Sequence, residues 1–223
     1  MDFKRLAIYH LPDGDLGQFG SHWLGWDARH GRTLPHPDLP LPIPELVATP
    51  ARYGFHATLK APFRLAEGAT VAEVAGALRA ICPHLSGFAM PVALREDWGF
   101  MALRPVGPPP LGLIALEAAL VTRLDHLRAP LTEAERARRN PDRLSPLARA
   151  HLDHWGYPFV LDAFHYHLTL TGALPAAQQQ QVRTTLDPVL APLIAAPMPV
   201  SAVALVGEDS AGSFHLIEEV PLA

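Results

Sequence analysis

The strings "HATL" at His56 and "HLTL" at His167 open two stretches that carry the same order of local signals. In each, a short alternating segment is followed by apolar residues at helical spacing and then by a hairpin pattern, and "MPV" at Met90 recurs at Met198 close to the start of each hairpin. A duplicated order restricts the fold more than composition does, because two related halves must bury their apolar faces against each other or against shared helices. The expected architecture is α+β: a bilobal, pseudo-symmetric chain, each lobe a small antiparallel sheet with helices on its outer face, and a groove between the lobes. The expected parts are a first motif region at 50–107, a helical, Arg-rich insertion at 111–160 and a second motif region at 163–223, within one domain of 223 residues.

Local signals fill in this frame. Lys4 to His10 reads as a strand closed by the turn signal "LPDGD", Leu16 to Trp26 as a short helix, and the proline-dense Pro35 to Pro50 as irregular. Thr70 caps a helix whose Val71, Val74, Leu78 and Ile81 recur at helical spacing, and Phe88 to Val106 reads as a hairpin turning near Glu96 to Gly99. Leu111 to Leu127 is an amphipathic helix, and Ser145 caps another with Pro146 at its first position. Pro175 opens a helix that runs to about Ile194, with interruptions expected at Pro188 and Pro192.

Several function classes are disfavoured at this level. The net charge of −4, with Lys4 and Lys60 the only lysines, supplies no basic face for extended nucleic acid, and no aromatic-plus-basic track for a single strand is visible. No segment reaches the roughly 18 apolar residues of a membrane span, and "MDFKRLAIYHLPDGD" lacks the apolar core of a secretion signal, so a cytoplasmic location is expected. Cys82 is the single cysteine, which leaves no internal disulfide or cysteine-based zinc cluster and reads as a small buried side chain. His151 and His154 stand one helical turn apart without a matching third ligand, so no metal site is expected. Neither a nucleophile elbow, a Walker loop nor a dinucleotide fingerprint occurs, and no cofactor is called for. Oligomeric state is left open.

The chemistry concentrates in the two His-x-Thr segments. On a strand, residues two apart share a face, so His56, Thr58 and Lys60 project together while Phe55, Ala57 and Leu59 face the packing side. In the second copy His165, His167, Thr169 and Thr171 line one face against Tyr166, Leu168 and Leu170. If the two polar faces meet, two imidazoles and two hydroxyls reach one point. A neutral imidazole can take a proton from a nucleophile while its protonated partner supplies one to the departing oxygen, with a bell-shaped rate profile expected around neutral pH. Thr58 and Thr169 can donate to the non-bridging phosphate oxygens.

The paired tetrads "HATL" and "HLTL" resemble those of the 2H phosphoesterase superfamily, and "RYGFHATLKAPFRL", "RLSPLARAHLDHWGYPFV" and "FHYHLTLTG" resemble its branch of phosphonate-metabolism proteins associated with carbon–phosphorus lyase genes. The resemblance spans nearly the whole chain. It implies His56 and His167 as the acid/base pair, Thr58 and Thr169 as phosphate holders, and a metal-independent hydrolase. The implied substrate is a small phosphorylated ribose cyclic phosphate, 5-phosphoribosyl 1,2-cyclic phosphate. Its second phosphate would want further contacts, for which Tyr9, Arg52, Tyr53 and Lys60 are the candidates; His165 and Thr171 join them from the second strand. Arg52 shares parity with His56, with Gly54 as a break point between them. The Arg cluster at Arg136, Arg138, Arg139 and Arg143 reads either as a solvated helix face or as a lid over an anionic substrate. Two other readings stay open. One is an enzyme of RNA ends with 2′,3′-cyclic phosphates, akin to 2′-5′ ligases; the other is a non-catalytic module for a phosphorylated sugar or nucleotide.

Overall fold

The structure is a computed structural model describing residues 2–223. In chain order its elements are β1 (Arg5–His10), α1 (Gly14–Leu24), the two-residue strands β2 (Trp26–Asp27) and β3 (Arg32–Thr33), α2 (Ile43–Val47), β4 (Ala57–Phe63), α3 (Val71–Ile81), β5 (Phe88–Met90), β6 (Val92–Arg95), β7 (Phe100–Pro105) and α4 (Leu111–Arg123). Then come α5 (Glu133–Ala137), α6 (Pro146–Trp155), β8 (Leu168–Ala173), α7 (Ala176–Leu193), β9 (Met198–Val200), β10 (Ala202–Glu208) and β11 (Phe214–Pro221).

The strands assemble into antiparallel sheets in an order that crosses between the two halves. One sheet runs β11-β10-β1-β4 and a second runs β6-β7-β8, while β5 and β9 pair with each other. Each sheet therefore combines the His-x-Thr strand of one copy with the hairpin of the other. The two "MPV" strings meet in the third pairing, where Met90 lies opposite Met198. The α+β class with small antiparallel sheets is as expected; within it Phe88 to Val106 is not one hairpin, since β6 and β7 form the hairpin and β5 leaves it for β9. Alternation along a strand states which face is apolar; it carries no information on which edge finds which partner.

Helices follow their local signals more closely. Thr70 accepts from the Glu73 amide while the Glu73 carboxylate accepts from the Thr70 amide, a complete capping box on α3. Ser145 accepts from the Ala148 amide ahead of Pro146 on α6. Within the proline-dense segment, Ile43, Leu46 and Val47 are buried and draw the chain into the short α2. Pro188 and Pro192 do not interrupt α7, which is continuous over Ala176–Leu193. Both prolines sit on the exposed face, where water can satisfy the carbonyls that lose a donor, while Val182, Leu186 and Leu190 anchor the buried face. Each such side chain stabilises by about 1.5–3 kcal/mol when buried. One apolar cluster joins the two sheets with α1, α3, α4 and α7, through residues such as Leu6, Leu59, Leu78, Leu103, Leu168 and Leu186.

Candidate active site

His56 and His167 each stand one residue ahead of their strands, at the mouth of the interface between the two larger sheets. Their rings are held in the same way. The Nδ1 of His56 donates to the Gly54 carbonyl at 2.9 Å, and the Nδ1 of His167 donates to the His165 carbonyl at 2.8 Å. A carbonyl can only accept, so both neutral rings are fixed as the Nδ1–H tautomer and both carry an unprotonated Nε2. Gly54 adopts φ +71°, a left-handed conformation that suits glycine, where its carbonyl can meet the ring. The Nε2 of His56 accepts from the Thr58 hydroxyl at 3.2 Å. Tyr9 stacks on the His56 imidazole with centroids 3.8 Å apart, and Trp98 meets the His167 ring edge-on at 5.5 Å.

These four residues line one groove of about 340 Å³: His56, Thr58, His167 and Thr169 share it with Tyr9, Tyr53 and Thr171. Both rings are half-buried, and burial is the first cause of depressed basicity in each. His56 falls from 6.5 to about 4, with the Gly54 carbonyl opposing the shift and the neighbouring His167 charge adding to it. His167 is lowered too, opposed by the His165 carbonyl and helped by Arg104.

The remaining candidates divide. Tyr9 is fully buried and its hydroxyl has no hydrogen-bond partner among the described residues, although the ring lines the groove; burial raises its pKa well above 10.0. Tyr53 lines the groove as well. Arg52 does not: it lies over the Tyr53 ring and donates to the Tyr53 hydroxyl at 2.5 Å, because the turn at Gly54 ends the alternation that parity assumed. His165 is exposed and borders an adjoining cavity beside Trp98. The hydroxyl of Thr171 is taken up by the fold, accepting from the Met101 amide at 2.9 Å where the β7–β8 register slips.

Lys60 is the clearest departure. Its ammonium is buried and donates to the Val121 carbonyl of α4 at 3.0 Å, with Asp125 at 3.5 Å, and it does not line the groove. The cause is a bulge in β4. Ile8 pairs with Lys60 while the next residue, Tyr9, pairs with Thr58, so one extra residue reverses the parity and Ala61 takes the groove face instead. Burial lowers the Lys60 pKa to about 8, against the pull of Asp125.

Among the groove residues that the sequence did not single out are Arg5 and Tyr157, and Arg139 of the Arg cluster lines the groove as well. Arg5 shares strand parity with Tyr9, which is the signal that could have named it. It makes a two-pronged pair with Glu208 at 2.5 and 2.8 Å. Arg139 stacks over Tyr157 at 4.9 Å, whereas Arg136 is engaged with Asp153. Among the described residues no group of three or more His, Cys, Asp or Glu is placed to hold a metal, and no helix is long and apolar enough to cross a membrane. His151 turns to Asp162 at 3.1 Å, and His154 packs on Trp155.

The family model described as "Protein of unknown function (DUF1045)" matches residues 58–215. The chain belongs to that family. Among curated proteins, this DUF1045 chain is 36% identical over 225 residues to a protein named ribose 1,5-bisphosphate phosphokinase PhnN from Janthinobacterium sp. (strain Marseille), covering 94% of the chain and 48% of that protein. It is 38% identical over 182 residues to a protein of the same name from Laribacter hongkongensis (strain HLHK9), covering 76% of the chain and 40% of that protein. It thus spans less than half the length of these relatives. Solved structures similar to it include E. coli LigT in apo form, at 17% identity and a TM-score of 0.45 over 100% of this chain and 99% of that one. A protein described as a phosphoesterase aligns at 16% identity and a TM-score of 0.43 over 99% of both chains.

Proposed function

We propose that this DUF1045 protein is a phosphodiester hydrolase that opens a small cyclic phosphate by two-histidine acid–base catalysis. The observation that carries the reading is the matched pair of imidazoles: two half-buried rings on one groove, each with Nδ1 tied to a carbonyl and Nε2 unprotonated. A binding module has no need of two proton-transfer groups fixed in one tautomer. Water attacks phosphorus as one Nε2 takes its proton, the P–O bond to the ring oxygen breaks, and the other Nε2–H protonates that oxygen. The Thr58 hydroxyl, now directed at His56, turns to donate to a non-bridging oxygen, and Thr169 does the same from β8. All four groups act through proton transfer and hydrogen bonding, so the step as written needs no metal.

The substrate we assign is 5-phosphoribosyl 1,2-cyclic phosphate. Arg139 and Tyr53 line the groove with a cationic and a polar group suited to the 5-phosphate, and Arg5 lines it while paired with Glu208. Breaking the bond from phosphorus to the 2-oxygen would leave ribose 1,5-bisphosphate, the compound in the name of the curated relatives. The test is phosphorus NMR of the purified protein with this cyclic phosphate, in wild type and in His56→Ala and His167→Ala. Each variant should lose at least about 100-fold in turnover. Unchanged turnover in both variants removes the mechanism.

A further inference from the structure

The groove continues past His167. A second cavity of about 510 Å³ shares Thr58, Ala61, Phe100, Tyr157 and His167 with it, so the two form one continuous cleft. The character changes across the junction. Arg5 and Arg139 line the first part; no lysine or arginine lines the second, whose walls are Trp98, Phe100, Tyr157, Phe159, Val160 and Phe164. Thr58, Glu117, His165 and His167 supply its polar lining, and the aromatic walls offer a flat apolar group a surface to stack on.

This annex is built rather than left over. On one side, Arg104 stacks on the Trp98 indole at 3.6 Å without itself lining the annex, and Asp97 grips Arg104 through both oxygens at 2.7 Å. On the other, the segment carrying Tyr157 to Phe164 is clamped from beneath. Both carboxylate oxygens of Glu117, a residue only 1% exposed, accept from the Leu161 amide at 3.2 Å. Leu161 is held at φ +55°, a conformation that non-glycine residues adopt only when their surroundings impose it. Large apolar surface is left open at the rim, with Trp98 37% and Phe159 47% exposed. The sequence shows no aromatic track because these rings come from β7, its preceding turn and the segment after α6.

We propose that the annex takes a flat aromatic ring carried by the substrate, with the phosphate between His56 and His167 and the ring beyond His167. The protein would then accept aromatic phosphate esters in addition to a bare sugar phosphate. The inference relies on the phosphoesterase reading for the position of the phosphate.

The experiment is calorimetric titration of wild-type protein with two matched pairs of phosphate monoesters: phenyl against methyl phosphate, and adenosine 5′-monophosphate against ribose 5-phosphate. The aromatic member should bind at least about tenfold more tightly, ~1.4 kcal/mol. Phe164→Ala should cut that gain to less than about threefold while leaving methyl phosphate affinity as it was; Phe159→Ala, at an exposed position that folding tolerates, should do the same. A gain in both pairs means that any flat ring fits, and a gain in the adenosine pair alone identifies the nucleobase as the ring. Equal affinities within both pairs, or a gain that survives in both variants, overturn the proposal. The two readings fail separately. Histidine-dependent hydrolysis of a cyclic phosphate alongside equal affinities sinks the annex alone, whereas ring-dependent binding without hydrolysis of any cyclic phosphate sinks the hydrolase alone.

Discussion

Titrating the reaction with pH tests the paired imidazoles more sharply than deleting them. In the unliganded groove burial holds His56 at about 4 and depresses His167 as well. With His56 at about 4, only about one ring in 1,000 is protonated at pH 7, since each pKa unit is a factor of ten. The reaction needs one protonated and one neutral ring. Because kcat/KM reports the free enzyme, it should peak on the acid side of 6.5, the ordinary histidine value, and fall about tenfold per pH unit beyond its alkaline limb. This moves the expected bell away from neutrality. A bound phosphate sets negative charge against both rings and raises their pKa values by about 1 to 3 units, so the alkaline limb of kcat should lie that much higher. The assay is steady-state kinetics on the cyclic phosphate at constant ionic strength between about pH 4 and 9. Binding calorimetry at pH 7 in buffers of different ionisation heat should register proton uptake. Superimposable kcat and kcat/KM profiles, or a kcat/KM that stays level from about pH 6 to 9, would rule out two depressed imidazoles as the acid and base.

Other outcomes follow from side chains that the fold has taken from the groove or buried beneath it. Thr171→Val strands the Met101 amide in a buried bulge and should cost about 1–3 kcal/mol, read as a fall of a few degrees in Tm with KM little changed. Lys60→Met, at a position facing α4, should leave kcat/KM within about threefold of wild type, and a loss near that of His56→Ala would return Lys60 to the site. His10 is buried with Nδ1 accepting from the Tyr166 hydroxyl at 2.6 Å, and burial lowers its pKa to about 4. The unfolded chain binds the extra proton first, so this stabilisation is complete above pH 6.5 and is lost as pH falls toward about 4, by up to roughly 3 kcal/mol. Urea unfolding of His10→Gln should show a shallower acid slope than wild type; an equal slope would mean that His10 does not drive it.

What the sequence determined alone was local. Caps at Thr70 and Ser145, the helical spacing of α3 and α7, and the two His-x-Thr segments are set by neighbours within a few residues, and the structure has them where the spacing put them. The polar faces of His56 with Thr58 and of His167 with Thr169 were legible for the same reason, since side-chain alternation is a property of one strand. Tertiary structure decided whatever depended on a second strand. One extra residue in β4 sent Lys60 into the α4 interface, and a slipped register gave Thr171 to the backbone. Which hairpin joined which His-x-Thr strand, and that Arg5, Arg139 and a wall of aromatic rings would border the cleft, rested on pairings between residues far apart in the chain. Those pairings are chosen by how whole faces pack against each other, and a pattern read along a single strand contains no term for its partner.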